Sequence, residues 1–132
     1  MSRKLIQSKY PNSVVKRSFF GEYTFKVENE GDVYHILILN VHRNSILTIN
    51  SKYVWQIKYG RRDNVNFKTL NSKLIDMKSF MKLENRIVVF RNQPFKILKH
   101  LNEADIIDIS TAEEIFGCDV FDNINKITLK KA

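Results

Sequence analysis

The strongest constraint on the fold of this chain is the run from Val33 to Val41 (VYHILILNV), which is apolar apart from His35 and Asn40. It is far shorter than the ~20 apolar residues that a membrane-spanning helix needs. It lacks polar alternation, so as a β-strand it must be covered on both faces. A strand covered on both faces belongs to a layered domain, with other segments packed against each side of its sheet. A chain of 132 residues has room for one such domain and no second core.

The surrounding segments supply candidates for those layers. Tyr23 to Val27 alternates weakly and predicts a strand, and Asn29 to Asp32 predicts a hairpin turn. Ile46 to Ile49 and Tyr53 to Tyr59 predict two more strands, followed by a polar loop from Gly60 to Asn64. From Val65 to Leu83 the apolar residues Phe67, Leu70, Leu74, Met77 and Met81 recur at steps of three and four. That spacing predicts an amphipathic helix, with Asp63, Asn64 or Asn66 as its N-cap. Arg86 to Arg91 predicts a buried strand, Pro94 the start of a short helix to about Leu101, and Asp105 to Ile109 another strand. Ser110 or Thr111 is the expected cap of a last helix, with Glu113 and Glu114 in its first turn. Residues 123–129 predict a final strand or an extended tail. Residues 1–20 offer a turn at Pro11-Asn12-Ser13 and an apolar pair, Phe19-Phe20, that should dock somewhere. The expected fold class is α/β in the sense of an α+β mixed sheet, an antiparallel meander followed by α-β-α-β-α.

Charge is distributed unevenly. The net charge is +8, but residues 1–100 carry 19 Lys and Arg against 7 Asp and Glu, while residues 101–125 hold seven acids and no Lys or Arg. The basic part predicts contact with a phosphate backbone, against the plainer alternative of a solvated lysine-rich surface. Its densest stretch holds Lys52, Lys58, Arg61, Arg62 and Lys68, with Tyr53 and Tyr59 interleaved for stacking and Arg43 as a further phosphate contact. No recognition-helix or aromatic RNA-binding signature accompanies these residues, so backbone-directed binding is expected, with DNA preferred over RNA. The acidic segment should turn away from nucleic acid and toward a larger protein partner, with Phe116, Phe121 and Asp119 as the candidate interface.

Other chemistry is narrowly bounded. Cys118 is the single cysteine, which excludes an internal disulfide and a cysteine-rich zinc site, and nothing basic adjoins it in sequence. His35, His42 and His100 are scattered, and His35, on an apolar strand, reads as a core histidine. No HExxH motif, catalytic triad order or glycine-rich phosphate loop is present. With no apolar run long enough to span a bilayer and no signal-peptide core, the expected partners exclude a membrane. The expected location is intracellular, cytoplasmic or nuclear.

One motif points further. Gln56-Ile57-Lys58 lies on the strand Tyr53 to Tyr59, preceded by the hairpin strand beginning at Asn44-Ser45-Ile46-Leu47 and followed by the predicted helix 65–83 and the strand Ile87 to Phe90. This order resembles the restriction-endonuclease-like fold, the PD-(D/E)xK superfamily, in its Mrr-type Gln-x-Lys form. The likeness covers residues 33–116 of a single domain 1–132, with 1–32 and 117–132 as flanking segments. It implies Gln56 as the metal-side residue and Lys58 as the catalytic lysine, with Mg2+ as cofactor if the site is active. Positions two apart on a strand share a face, which suits that pairing. The same two residues also fit the solvent-facing stripe of a strand whose Val54, Trp55, Ile57 and Tyr59 neighbours pack. The family's aspartate should fall near Asn44 or Ser45. Neither is acidic, and Asp32 and Asp63 are the nearest carboxylates in sequence. Magnesium is usually held by one or two carboxylates, so a degenerate, non-catalytic site with no cofactor is expected. The chain is then similar to the non-catalytic jaw domain of the fifth subunit of eukaryotic RNA polymerases. The expected function is a nucleic-acid-binding small subunit or accessory module of a DNA transaction or transcription machine. The alternatives are a Mg2+-dependent endonuclease and a protein-interaction domain for an acidic partner.

Overall fold

A computed structural model describes residues 2–19, 21–40, 45–49, 52–63, 66–91, 96–99, 106–107, 114–121 and 124–129. Residues 2, 61–63, 66–70, 96–99, 106–107, 114 and 124 are followed along the backbone alone. In chain order the elements are α1 (Ser2–Lys9), β1 (Val14–Arg17), β2 (Phe25–Asn29), β3 (Asp32–Leu39), β4 (Ser45–Ile49), β5 (Val54–Asp63), β6 (Asn66–Asp76), β7 (Arg86–Phe90), β8 (Lys96–Lys99), β9 (Ile106–Ile107), β10 (Glu114–Ile115) and β11 (Cys118–Phe121), with 3-10 turns at Phe80–Lys82 and Ile124–Lys126. The fold is α+β, with strands predominating.

The strands form two mixed sheets. The first has the order β1-β2-β3-β7-β11-β10 and the second β6-β5-β4-β8-β9. Each begins as an antiparallel meander, β1-β2-β3 in one and β4-β5-β6 in the other, and each takes up later strands in parallel, β7 on β3 and β8 on β4.

The apolar run that predicts a doubly covered strand is β3, an interior strand of the first sheet. Register fixes what covers each face. Leu37 and Leu39 lie level with Val88 and Phe90 of β7. These residues join Cys118 and Val120 of β11 and Leu47, Ile49, Trp55 and Ile57 of the second sheet in one core between the sheets. Phe80 and Met81 of the 3-10 turn enter the same core. Ile36, Ile87 and Val89 occupy the other face, where Ile6 of α1 and Ile127 close a second core. The order of layers is therefore second sheet, first sheet, and then α1 with the C-terminal segment. Tyr10 and Gln7 anchor that outer layer. The Tyr10 hydroxyl accepts from the Leu129 N–H at 2.9 Å, and Gln7 Nε2 donates to the Ser13 carbonyl at 2.8 Å.

Two tight turns show the local chemistry that sets the hairpins. Glu30 and Gly31 have φ of +52° and +84°, and Phe116 and Gly117 have φ of +47° and +78°. Two consecutive residues in the left-handed region form the two-residue turn whose twist matches paired strands, and glycine takes the second place without steric cost.

The second half of the chain departs from the sequence-based expectation of α-β-α-β-α. The helix expected over 65–83 is β6 up to Asp76, followed by a turn and the 3-10 segment. Asn66, Thr69, Asn71, Ser72 and Asp76 are weak helix formers, and β5 offers them a continuous ladder. The apolar stripe is shared between roles, since Leu74 is 62% exposed on the strand whereas Met77 and Met81 are buried beyond it. Gly60–Asp63, expected as a loop, continues β5 because it pairs with Asn66–Thr69. The short helix expected from Pro94 is strand at Lys96–Lys99, where the free edge of β4 takes it up in parallel. The helix expected after Ser110 or Thr111 is strand at Glu114–Ile115, because the Phe116-Gly117 turn folds it back on Cys118. Of the pair expected to dock, Phe19 is 97% exposed and Phe20 lies outside the described residues.

Candidate nucleic-acid interface

The basic and aromatic candidates of the sequence gather on the hairpin β5–β6, whose ten cross-strand pairs run from Val54–Asp76 to Asp63–Asn66. At ~3.3 Å per residue it is about 33 Å long. Between residues 52 and 78 the sequence holds seven Lys and Arg against Asp63 and Asp76.

Alternation divides β5 by face. Trp55 and Ile57 are buried in the core between the sheets, and Tyr59 packs partly buried against it. Gln56 and Lys58 therefore lie on the outward face and are half-buried. Gln56 stands opposite Leu74 on β6 and Thr48 on β4, and Lys58 opposite Ser72 and Ile46. The expected shared face of Gln56 and Lys58 is thus observed, while Tyr59 belongs to the opposite face. Among the described side chains of this region the exposed aromatic ring is Tyr53, at 46% exposure, with Lys52 Nζ 5.6 Å from its ring centroid.

Among the described residues no carboxylate is the ladder partner of Gln56 or Lys58. Asp32 opens β3 in the other sheet, and Asp63 is seven residues beyond Gln56, roughly 23 Å along the strand. The acid that the sequence did not single out is Asp76. It pairs with Val54 and so lies diagonal to Gln56 on the outward face. Its Oδ1 accepts from the Lys78 N–H at 2.9 Å, which caps the turn leaving β6. Among the described residues no group of three His, Cys, Asp or Glu could hold a metal ion. One carboxylate engaged at a turn and one neutral amide do not fit the donor set that Mg2+ prefers.

Beyond Tyr59 the hairpin changes character. Among the described residues β4 pairs with β5 from Trp55 to Tyr59. Gly60–Asp63 and Asn66–Thr69 therefore pair only with each other among the described residues, as a two-stranded ribbon. Tyr59 pairs with Asn71 and Gly60 with Thr69, which leaves Leu70 as an extra residue on β6. Such a bulge bends the strand and increases its twist where the ribbon leaves the sheet. In the ribbon, Arg61 is directly opposite Lys68, and Arg62 is opposite Phe67. Alternation along β5 puts the Arg62 position on the face of Gln56 and Lys58, and the Arg61 position on the other. Arg43, His42 and His100 lie outside the described residues.

The expected protein-facing residues separate. Phe116 is 48% exposed at its turn, whereas Phe121 packs against the second core, so the two do not form one patch. Asp119 is level with Ile87, on the Phe121 side of β11. Glu103, Asp105, Asp108, Glu113 and Asp122 lie outside the described residues.

Two further side chains are structural. His35 is buried, and its Nδ1 lies 2.7 Å from the Glu84 carbonyl, so that nitrogen carries the proton and donates. Arg86 donates to the carbonyls of Met81 (3.1 Å), Leu83 (2.9 Å) and Phe116 (3.0 Å), and its Nε approaches Cys118 Sγ at 3.4 Å. Cys118 therefore has a basic neighbour in space that sequence does not show, although the thiol is fully buried.

Comparison with protein-family models, known proteins and solved structures returns no match. Among the described residues no helix is long and apolar enough to cross a membrane.

Proposed function

We propose that this chain is a non-catalytic nucleic-acid-binding module that serves a larger DNA transaction or transcription machine through the β5–β6 hairpin. The observation that carries this reading is the directly opposed pair Arg61 and Lys68. Like charges placed opposite one another on a sheet destabilise it, and a polyanionic ligand relieves the repulsion. Lys58 and the Arg62 position add basic residues on the hairpin's outward face, the face opposite to Arg61 and Lys68, and the Lys52–Tyr53 pair lies at the hairpin's other end. A small domain with this surface and an exposed Phe116 suits an accessory subunit, as in an RNA polymerase.

The likeness to restriction-endonuclease-like nucleases rests on Gln56-Ile57-Lys58 and its strand. Where that core places a helix after the motif strand, this chain has β6.

The test is binding of the full chain to duplex DNA across a salt series. A steep loss of affinity between low and physiological salt supports phosphate contact, and a flat response points to a protein partner instead. Incubation with plasmid and Mg2+ or Mn2+ separates the endonuclease alternative, since cleavage abolished by Lys58→Ala contradicts the non-catalytic reading.

A further inference from the structure

We infer that two copies of this chain pair edge to edge through β6, antiparallel about a two-fold axis at Leu74, so that their second sheets join into one. Such pairing needs no nucleic acid and stands apart from the function proposed above.

β6 is the end strand of the second sheet among the described residues. Ser72, Lys73, Leu74 and Asp76 are exposed on it, and Leu74, at 62%, is the most exposed large apolar side chain of the described strands. The Met77 N–H donates to the Tyr53 carbonyl at 2.7 Å, which fixes the parity of the β5–β6 ladder. Hydrogen-bonded and non-hydrogen-bonded pairs alternate in an antiparallel ladder. Ile75, Lys73 and Asn71 therefore bond to β5 as Met77 does, and Ser72, Leu74 and Asp76 turn their N–H and C=O groups to the outer edge. An edge of this kind is a template for another strand.

Its own sequence supplies the matching strand. When two copies extend one sheet about a two-fold axis, paired residues share a face, which puts a single residue on the axis. With Lys73 there, two ammonium groups oppose each other. With Ile75 there, Leu74 faces the Asp76 carboxylate. With Leu74 on the axis, the two leucines cover each other and the Ser72 hydroxyl donates to Asp76 of the second copy. Lys73 then lies opposite Ile75, and the outward N–H and C=O groups of Ser72, Leu74 and Asp76 are satisfied on both copies. Lys58 is the β5 partner of Ser72, so it falls in one row with Asp76 of the second copy. Only the small Ser72 stands between these opposite charges.

The test is sedimentation velocity of the full chain across a concentration series without nucleic acid. The expected result is a reversible shift from the 15.6 kDa monomer to a dimer as concentration rises, and loss of the dimer in Leu74→Lys. Disulfide formation under mild oxidation reads the register. Leu74→Cys puts two thiols in a directly bonded pair, with Cα atoms about 5.5 Å apart and within disulfide reach. Ser72→Cys offsets them by roughly 13 Å along the strands. Cys118 is buried and does not compete. Cross-linking of Leu74→Cys but not of Ser72→Cys supports the axis at Leu74. A monomer at every concentration, a dimer unchanged by Leu74→Lys, or equal cross-linking of the two cysteine variants overturns the inference. The wild-type series and the cross-linking stand even where Leu74→Lys fails to fold.

Discussion

Arg61 of β5 and Lys68 of β6 occupy directly opposed positions in a ladder that, among the described residues, no third strand supports. Opposed like charges cost a sheet roughly 0.2–1 kcal/mol. Lys68→Gln is therefore expected to raise the melting temperature of the free protein by a few degrees while weakening its binding to DNA. Thermal unfolding with and without duplex checks both halves. A ribbon with a purely structural role would lose stability and leave affinity unchanged.

Arg86 is the second site where one residue ties several elements together. Its guanidinium satisfies carbonyls of Met81, Leu83 and Phe116, which belong to the 3-10 segment and to the β10–β11 turn. Arg86→Ala leaves these carbonyls without their charged donor and should cost about 2–4 kcal/mol in urea unfolding. Arg86→Lys should recover only part of this, because a single ammonium cannot reproduce the fork.

Gly117 and Gly31 offer a controlled comparison. Both have positive φ, but a Cβ on Gly117 would lie 2.6 Å from Arg86 Nη2, whereas one on Gly31 meets nothing within 4 Å. Gly31→Ala should cost about 1 kcal/mol for backbone strain alone, and Gly117→Ala clearly more. Equal costs would show that the Arg86 contact is dispensable.

The indole of Trp55 is fully buried, and among the described residues its Nε1 has no hydrogen-bond partner. An orphaned buried donor costs about 1–3 kcal/mol. Trp55→Phe removes that donor along with some packing, so it should cost far less than the ~3–5 kcal/mol expected of Trp55→Ala. Denaturant unfolding followed by circular dichroism makes the comparison without relying on the lost fluorophore.

Alkaline pH provides a further handle. Burial raises the Tyr34 phenol above its ordinary value of 10.0, with Asp32, Glu30 and Tyr10 adding to the effect. A group whose pKa is raised on folding contributes stability below its unfolded pKa and loses it as pH climbs through the folded one. Stability should thus decline above pH 10, and less so in Tyr34→Phe, as judged by unfolding free energies at several pH values.

Legibility from sequence tracks the strength of the apolar signal. β3, β4, β5 and β7 are readable because each is an apolar or alternating run between turns, and the shared face of Gln56 and Lys58 comes from a period of two. β6 is not readable, since Phe67, Leu70, Leu74, Met77 and Met81 mimic a helical stripe while serving strand, bulge, turn and 3-10 segment in succession. The signal that favours the hairpin is Asp63-Asn64, turn-forming residues between two segments of low helix propensity. α1 escapes detection because Leu5 and Ile6 are its only apolar residues, too few to show a stripe. The opposed Arg61 and Lys68 are invisible for the same reason as β6. One reads as loop and the other as helix, and only the ladder makes them neighbours.

The salt dependence of duplex binding, compared between the wild-type chain and Arg61→Ala/Arg62→Ala/Lys68→Ala, tests the central claim most directly. Each phosphate contact contributes about 0.9 to the slope of log affinity against log salt. If the hairpin meets the phosphate backbone as proposed, the triple variant should bind more weakly with a slope shallower by about 1–3. Identical affinity and slope in the two proteins would contradict the account.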